Sequence, residues 1–249
     1  MKAQKISVVV PAHNEEGNIA DVADEILAVR KKTGWDIELV MVDDNSRDKT
    51  PRILDELAKK QKGIRVVHRK KGDNGLGAAL IEGTNKATGD IIVWMMGDRS
   101  DNPKDMIGMV NKINKGYDLV FGSRFIKRGS VHNYPRLKLV SNRLFNNFLR
   151  LIFWIKERDI TNAFKAFRRS VLKKIGPLTC KDFDITVELP LKARLEGFRM
   201  TESPVRWYGR VYGVSNLKLS RTARKYIWTS LKIWLRIMGK KIFGKSKKK

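Results

Sequence analysis

The sequence predicts an α/β protein: a mostly parallel, Rossmann-like sheet flanked by helices, with a C-terminal amphipathic helix. Two observations carry this. Apolar, β-branched runs alternate with segments whose apolar residues recur at helical spacing, the order that a parallel sheet requires. The chain has 249 residues, 42% of them hydrophobic and 8% aromatic, which suits one domain with a sizeable core and argues against intrinsic disorder.

Residues 6–11 (Ile-Ser-Val-Val-Val-Pro) read as a buried first strand. Residues 15–32 follow as a helix, with Ile19, Val22, Ala23, Ile26 and Leu27 on its apolar face and Asn14 as its N-cap. Residues 37–42 are a second strand, and residues 50–60 a helix with Pro51 in the first turn. Residues 64–68, 91–96 and 119–122 read as further strands, separated by helices at 77–88 and 104–115. After Ser123 the alternation stops. Residues 136–156 form a long helical pattern, strongly apolar near its end, and shorter helices follow at 169–175 and 187–196, each leading into an extended segment.

Charge divides the chain. Lys and Arg number 52 against 26 Asp and Glu, a net charge of +26 that calls for a polyanionic partner: nucleic acid, an anionic membrane surface or a phosphorylated substrate. Residues 216–249 hold twelve of the basic residues and no acid, so the body is only moderately basic. On a helical wheel Ile227, Leu231, Trp234, Leu235, Met238 and Ile242 share one face, with Lys225, Lys232, Arg236 and Lys240 opposite. A cationic amphipathic helix with Trp on its apolar side is an interfacial anchor, so residues 221–249 are expected to meet an anionic membrane surface. The competing readings are a helix packed on the core and a nucleic-acid arm; the apolar face argues against the arm, and no nucleic-acid partner is expected.

The single cysteine, Cys180, excludes an intramolecular disulfide and a multi-cysteine zinc site. The N-terminus carries no secretory h-region, and no apolar run approaches the roughly 18 to 20 residues needed to span a bilayer. These features predict a cytoplasmic protein, bound peripherally to the cytoplasmic face of a membrane.

In an open parallel sheet, ligands bind beyond the carboxyl ends of the strands. After the first strand comes Pro11-Ala-His13-Asn-Glu15 in place of a Gly-x-Gly-x-x-Gly turn, which argues against a dinucleotide. After the second comes Asp43-Asp44-Asn-Ser46-x-Asp48, carboxylates able to accept from a base N–H and a ribose hydroxyl, or else a helix-capping loop. After the fourth comes Gly97-Asp98-Arg-Ser100-Asp101-Asn-Pro103: hard oxygen ligands suited to Mg²⁺ or Mn²⁺ on a diphosphate, or else an Asx-turn before a helix. Gly75-Leu-Gly77 either offers backbone N–H groups to phosphates or permits close helix packing.

Together, and in this order, these motifs resemble those of the family 2 glycosyltransferases, which have a nucleotide-sugar-binding GT-A fold, and in particular the dolichol-phosphate mannose synthase-like branch. The resemblance covers roughly residues 5–219. It implies that Pro11, His13 and Glu15 line the nucleotide and that Asp43 holds its base or ribose; Asp44, Gly75 and Gly77 complete the expected nucleotide site. Asp98 falls at the second aspartate of the family's Asp-x-Asp metal motif. Met96 replaces the first, leaving ligation to Asp98, Ser100, Asp101 and the diphosphate oxygens.

Further along, Gly122-Ser-Arg124-Phe resembles the branch's Gly-Ser/Thr-Arg-Tyr segment. Asp159-Ile-Thr161-Asn-Ala-Phe164-Lys165-Ala-Phe167 resembles Asp-x-Thr-Ser-Gly-Phe-Arg-Ala-Phe, with Lys165 in place of Arg. Arg210-Val-Tyr-Gly213-Val-Ser215-Asn216 resembles the closing loop Arg-x-x-Gly-x-Ser-Lys, with Asn216 in place of Lys and Lys218 as the substitute phosphate contact.

The resemblance implies inverting transfer of a single sugar from a UDP- or GDP-linked donor to a polyprenyl (dolichyl or undecaprenyl) phosphate at the membrane surface. Asp98, Arg124 and Arg210 would be catalytic, and Arg124, Arg136, Ser215 and Lys218 would hold the acceptor phosphate. A phosphomonoester is already anionic near neutral pH, its second pKa being about 6, so such an acceptor needs cations and no general base. A sugar-hydroxyl or glycolipid acceptor would need a positioned carboxylate, for which Asp182, Asp184 and Glu188 are candidates. A nucleic-acid-binding protein would explain the charge but not the carboxylates that follow the strands. Processive relatives carry Gln-x-x-Arg-Trp; here Arg206-Trp207 is preceded by Ser203, which argues against polymer synthesis. The expected organisation is a catalytic domain over 1–219, its nucleotide-sugar half at about 1–123 and its acceptor half at about 124–219, followed by the basic helix and Lys-rich tail at 220–249.

Overall fold

The computed structural model describes residues 4–70, 72, 74–210, 212 and 219–244. The elements run β1 (Ile6–Ala12), α1 (Ile19–Thr33), β2 (Ile37–Asp43), α2 (Thr50–Lys60), β3 (Ile64–His68), α3 (Leu76–Lys86) and β4 (Ile91–Trp94). A 3₁₀ turn at Pro103–Asp105 leads into α4 (Met106–Asn114) and β5 (Leu119–Ser123). Then come β6 (Ser130–His132), α5 (Arg136–Phe153), β7 (Lys165–Arg168), α6 (Arg169–Ile175), α7 (Ile185–Leu195), β8 (Met200–Pro204), β9 (Arg206–Tyr208) and α8 (Leu219–Gly244).

The main sheet has the order β3-β2-β1-β4-β7-β5-β8. β1 and β2 are buried along their whole length, as central parallel strands covered on both faces must be. Their alternating side chains feed two cores. Val8, Val10 and Met41 pack with Ile19, Ile26 and Met109 from α1 and α4. Val9, Val40 and Trp94 pack with Leu80, Leu149 and Leu189 from α3, α5 and α7. Every strand of this sheet runs the same way except β7, which is antiparallel to both β4 and β5.

Two differences from the sequence reading bear on function. Asn14 does not cap α1, which starts after Asn18. Asn14 sits in the left-handed region (φ 55°), its main-chain N–H donates to Ser46 Oγ (3.0 Å) and its Oδ1 accepts from Arg47 N–H (2.8 Å), so it stitches the loops after β1 and β2 together. β7 lies inside the motif that begins at Asp159 and was not expected as a strand; four residues are too few to show a period of two. The three-residue pair β6–β9 escaped for the same reason.

The C-terminal helix is present; of its predicted apolar face, Trp234 packs against the core and Ile227, Leu231 and Leu235 are exposed. Thr229, Ser230 and Ile233 are buried, while Ile227, Trp228, Leu231 and Leu235 are exposed. α8 docks on the body through a polar seam: Lys225 Nζ donates to Asp182 (2.7 Å), Thr229 Oγ1 donates to Asp184 (2.9 Å), and the Tyr226 and Thr186 hydroxyls share a hydrogen bond (3.2 Å). The side chains of Met238, Lys240 and Ile242 lie outside the described residues.

Gly75 and Gly77 are packing residues. A Cβ on Gly77 would lie 2.2 Å from the Cys180 carbonyl oxygen, and one on Gly75 equally close to that of Lys181. Ala78 N–H donates to the same Lys181 oxygen (3.0 Å), so α3 meets the segment before α7 backbone to backbone. Gly77→Ala must push main chain apart, and should cost about 1–3 kcal/mol of stability, read from the urea midpoint at unchanged m-value.

Candidate active site

Because β7 alone runs backwards, the loops after β1, β2, β4, β5 and β8 and the loop before β7 all reach one edge of the sheet. A cavity of about 1140 Å³ opens there. Its polar lining includes Asp98, Ser100, Arg124, Trp207 and Arg210. Its apolar lining includes Leu144, Phe145 and Phe148 of α5, with Tyr226 of α8 beside them.

Asp98 is buried and both its oxygens are engaged. Oδ1 accepts from Ser100 Oγ (2.6 Å) and N–H (3.1 Å); Oδ2 pairs with Arg210 Nε (2.8 Å). Arg210 reaches on to Glu15 Oε1 (3.2 Å), so one guanidinium joins the loop after β1 to the loop after β4. Burial pushes the Glu15 carboxyl up, against the pull of Asn18 and Arg210. Arg99, in the left-handed region (φ 60°), is clamped to α1 by Asp21 and Glu25, which holds this loop in shape.

Asp101 is fully buried; its Oδ2 accepts from Met96 N–H (3.2 Å), and its Oδ1 has no hydrogen-bond partner. Burial, reinforced by the charge on Asp98, pushes its carboxyl up to about 7. A nearby cation would relieve both the orphaned oxygen and the repulsion, so the donor set fits a divalent ion. Among the described residues no group of three or more His, Cys, Asp or Glu is arranged to hold a metal.

Arg124 follows β5. Its Nε and Nη2 form a bidentate pair with Asp159 (2.7 and 2.8 Å), and its own N–H donates to the same carboxylate (3.0 Å). Burial works against the guanidinium charge, but Asp159 outweighs it and holds the pKa above the ordinary value. Lys165, the departure from the family pattern, turns into the core: its buried ammonium donates to the Asn162 carbonyl and lies by the Phe121 ring (5.6 Å), and burial pushes its pKa down to about 7.

The nucleotide candidates sit at the ends of β1 and β2, beside the cavity. Pro11 pairs with Val42, and His13 Nδ1 bonds the Asp44 carbonyl (2.7 Å). Asp43 accepts from Ser46 N–H (3.0 Å) and His68 (3.2 Å); His68 also bridges to Asp55 (3.0 Å), and although burial opposes its charge these acids raise its pKa. Asp44 is committed to Arg69 and to Gly75 N–H (2.7 Å), so it braces the loop before α3.

Arg136 is exposed in the first turn of α5 and does not line the cavity; Lys138 does. Lys138, Ser141, Asn142 and Phe145 line it at helical spacing, a signal the sequence held but which the Arg-centred reading passed over. Ser215 and Lys218 lie outside the described residues. The reading also missed Asn146, buried in α5, whose Oδ1 accepts from Ile160 N–H (2.7 Å) and Thr161 N–H (3.2 Å), fixing the cavity wall. None of the three candidate bases lines the cavity. Asp182 and Asp184 hold α8, and Glu188 accepts from Thr179, Cys180 and Lys192.

Residues 7–176 match the family model described as Glycosyl transferase family 2. The polyprenol monophosphomannose synthase of Mycolicibacterium smegmatis is 30% identical over 220 residues, which cover 86% of this chain and 81% of that protein. The dolichol-phosphate mannosyltransferase of Pyrococcus furiosus is 32% identical over 229 residues, 90% of this chain but only 62% of that longer protein. Glucosyl-3-phosphoglycerate synthase from Mycobacterium tuberculosis, solved with Mn²⁺, UDP and phosphoglyceric acid, superposes with a TM-score of 0.69 at 22% identity, covering 93% of this chain and 78% of that one. The last likeness is one of fold; the family model and the identity to the first synthase go further, and with the carboxylate loops gathered at the carboxyl edge they establish that the chain belongs to glycosyl transferase family 2.

Proposed function

We propose that this chain transfers a single sugar, with inversion, from a UDP- or GDP-linked donor to a polyprenyl phosphate at the cytoplasmic face of a membrane. The observation that carries the reading is the composition of the cavity. Its lining includes Arg124, Lys138 and Arg210 against one carboxylate among the described residues, Asp98, together with the apolar side chains of Leu144, Phe145 and Phe148. Such a site suits an acceptor with an anionic head and a hydrocarbon tail. It lacks the free carboxylate that a sugar-hydroxyl acceptor would need as base.

Transfer then needs no proton. A phosphate oxygen of the acceptor attacks the anomeric carbon; the new C–O bond forms on the face opposite the one that breaks, and the electron pair leaves on the nucleoside diphosphate. Lys138 and Arg124 hold the attacking phosphate, and Arg210 stands beside Asp98 where charge builds on the leaving diphosphate. Asp98, with Ser100 and Asp101, would hold Mg²⁺ or Mn²⁺, which would supply electrostatic stabilisation of that leaving group. Pro11, His13, Glu15 and Asp43 line the nucleotide; Asp44, Gly75 and Gly77 serve it indirectly, as the brace of its loop.

Two helices support the membrane reading. α5 exposes Leu137, Val140, Leu144, Phe148 and Leu151 in one stripe, α8 exposes Ile227, Trp228, Leu231 and Leu235, and the two meet through Phe145 and Tyr226 (ring centroids 5.3 Å apart). No helix among the described residues is long and apolar enough to cross a membrane. Stripes of this kind, flanked by Lys and Arg, bind in the plane of the interface. The acid-free segment beyond adds attraction of about 1 kcal/mol per basic residue to an anionic surface.

The direct assay is incubation with labelled UDP- or GDP-sugars and polyprenyl phosphate: a glycolipid product is expected, and its absence with every donor would overturn the proposal. Asp98→Asn should lower turnover by at least about a hundredfold; turnover near wild type would remove Asp98 from the chemistry. Arg210→Gln frees Asp98 from its ion pair, so Mn²⁺ affinity measured by electron paramagnetic resonance should rise by about two- to fivefold while transfer falls. Deleting the tail from residue 221 would strip buried Thr229 and Ile233 from the body, so the membrane test is better made on exposed positions. Leu137→Glu with Leu151→Glu should release the protein from anionic liposomes with nucleotide binding unchanged, and undiminished flotation would reject α5 as an anchor.

A further inference from the structure

We infer that Trp207 is the platform on which the transferred sugar rests, and that it makes the site prefer a sugar-bearing nucleotide to a bare one. This rests on the donor reading above and names the group that recognises the sugar. The Arg206-Trp207 pair, without the Gln of processive relatives, otherwise has no part in the proposed chemistry.

The main chain fixes Trp207 from both sides. It bridges to Asp101, and its neighbour Tyr208 donates its N–H to the Ser100 carbonyl (2.8 Å), so β9 is zipped to the Asp98 loop. On the other side Arg206 N–H donates to Asp105 (2.7 Å), whose carboxylate also takes the Arg206 guanidinium (2.6 Å). The half-buried indole faces the cavity and packs edge-on against Tyr134 (4.7 Å, 63°), and Tyr134 in turn lies beneath the Arg124 guanidinium (5.6 Å). The two aromatic rings thus form a contact chain from the loop of the carboxylate that serves the leaving diphosphate to the arginine that serves the attacking phosphate.

The sugar must occupy that interval, since its anomeric carbon is bonded to one phosphate before transfer and to the other after it. A pyranose has a face of C–H groups and a rim of hydroxyls. A flat, rigid aromatic buries the first and leaves the second to polar neighbours such as Asn133 and Asn162, which share the lining. The acceptor's hydrocarbon has its own apolar walls on α5 and α8 and does not need this ring.

The test is calorimetric titration of the full chain, with Mn²⁺, by UDP, GDP, UDP-glucose and GDP-mannose. The wild type should bind one sugar nucleotide more tightly than its parent diphosphate. Trp207→Leu should erase that preference, with a loss of about tenfold confined to the sugar nucleotide, the worth of one aromatic contact. Trp207→Phe, which keeps a flat face against Tyr134, should retain most of it. An unchanged diphosphate affinity shows that the variant is folded. If Trp207→Leu keeps the preference, if both ligands weaken equally in the leucine and phenylalanine variants, or if the wild type shows no preference, the platform is wrong and the donor reading stands. Failure of the wild type to bind any of the four ligands would overturn both.

Discussion

The buried ion pair between Arg124 and Asp159 is the constraint from which the rest of the site follows. Burying two charges costs several kcal/mol per ion, and only excellent geometry offsets it. Here the geometry is bidentate, with a third bond from the Arg124 main chain to the same carboxylate, and Asp159 is fully buried. The pair ties the end of β5 to the loop that enters β7, and so helps hold the single reversed strand between β4 and β5. That reversal brings the loop before β7 to the edge where the parallel strands end, and gives the cavity its second wall.

Around this pair the molecule separates acids from bases by task. The acids that follow β1, β2 and β4 mostly hold loops: Asp43 and Asp44 fasten the segments after β2 and before α3, and Asp21 and Glu25 fasten Arg99. Asp98 and Asp101 remain as the carboxylates with chemistry in reach, one against Arg210 and one with an oxygen unsatisfied. Away from the edge, Asp182, Asp184 and Glu188 stabilise the α7–α8 region and play no part in the cavity. A chain with twice as many basic as acidic residues thus spends most of these acids on architecture, while Arg124, Lys138 and Arg210 line the cavity.

The apolar end follows a related logic. α5 turns Leu149 and Phe153 to the core, Asn146 to the loop before β7 and a stripe of leucines outward. Since α8 docks largely through a polar seam, its Leu231 and Leu235 also remain outside. A docking face rich in Thr, Ser, Tyr and Lys uses little hydrophobic area, and Ile227, Trp228, Leu231 and Leu235 stay exposed.

By itself the sequence determined the strands and helices of the first half and the carboxylate motifs, because each is written locally: a run of β-branched residues, a period of 3.6, a cluster placed just after a strand. Residues 50–60, 64–68 and 169–175 fall where they were read. The family resemblance was legible for the same reason, as ordered short motifs. Tertiary structure alone decided what depends on contacts across the chain. Four residues at 165–168 become an antiparallel strand through pairing with β4 and β5. Lys138 takes the cavity in place of Arg136 because of how α5 is rotated on its neighbours, and α8 buries Thr229 and Ile233 because Asp182 and Asp184 await it just before α7. Trp207 enters the site because Asp101 and Asp105, a hundred residues earlier, hold the chain on either side of it. Local patterns specify which faces a segment owns; only the packed partners specify which of them is turned toward the substrate.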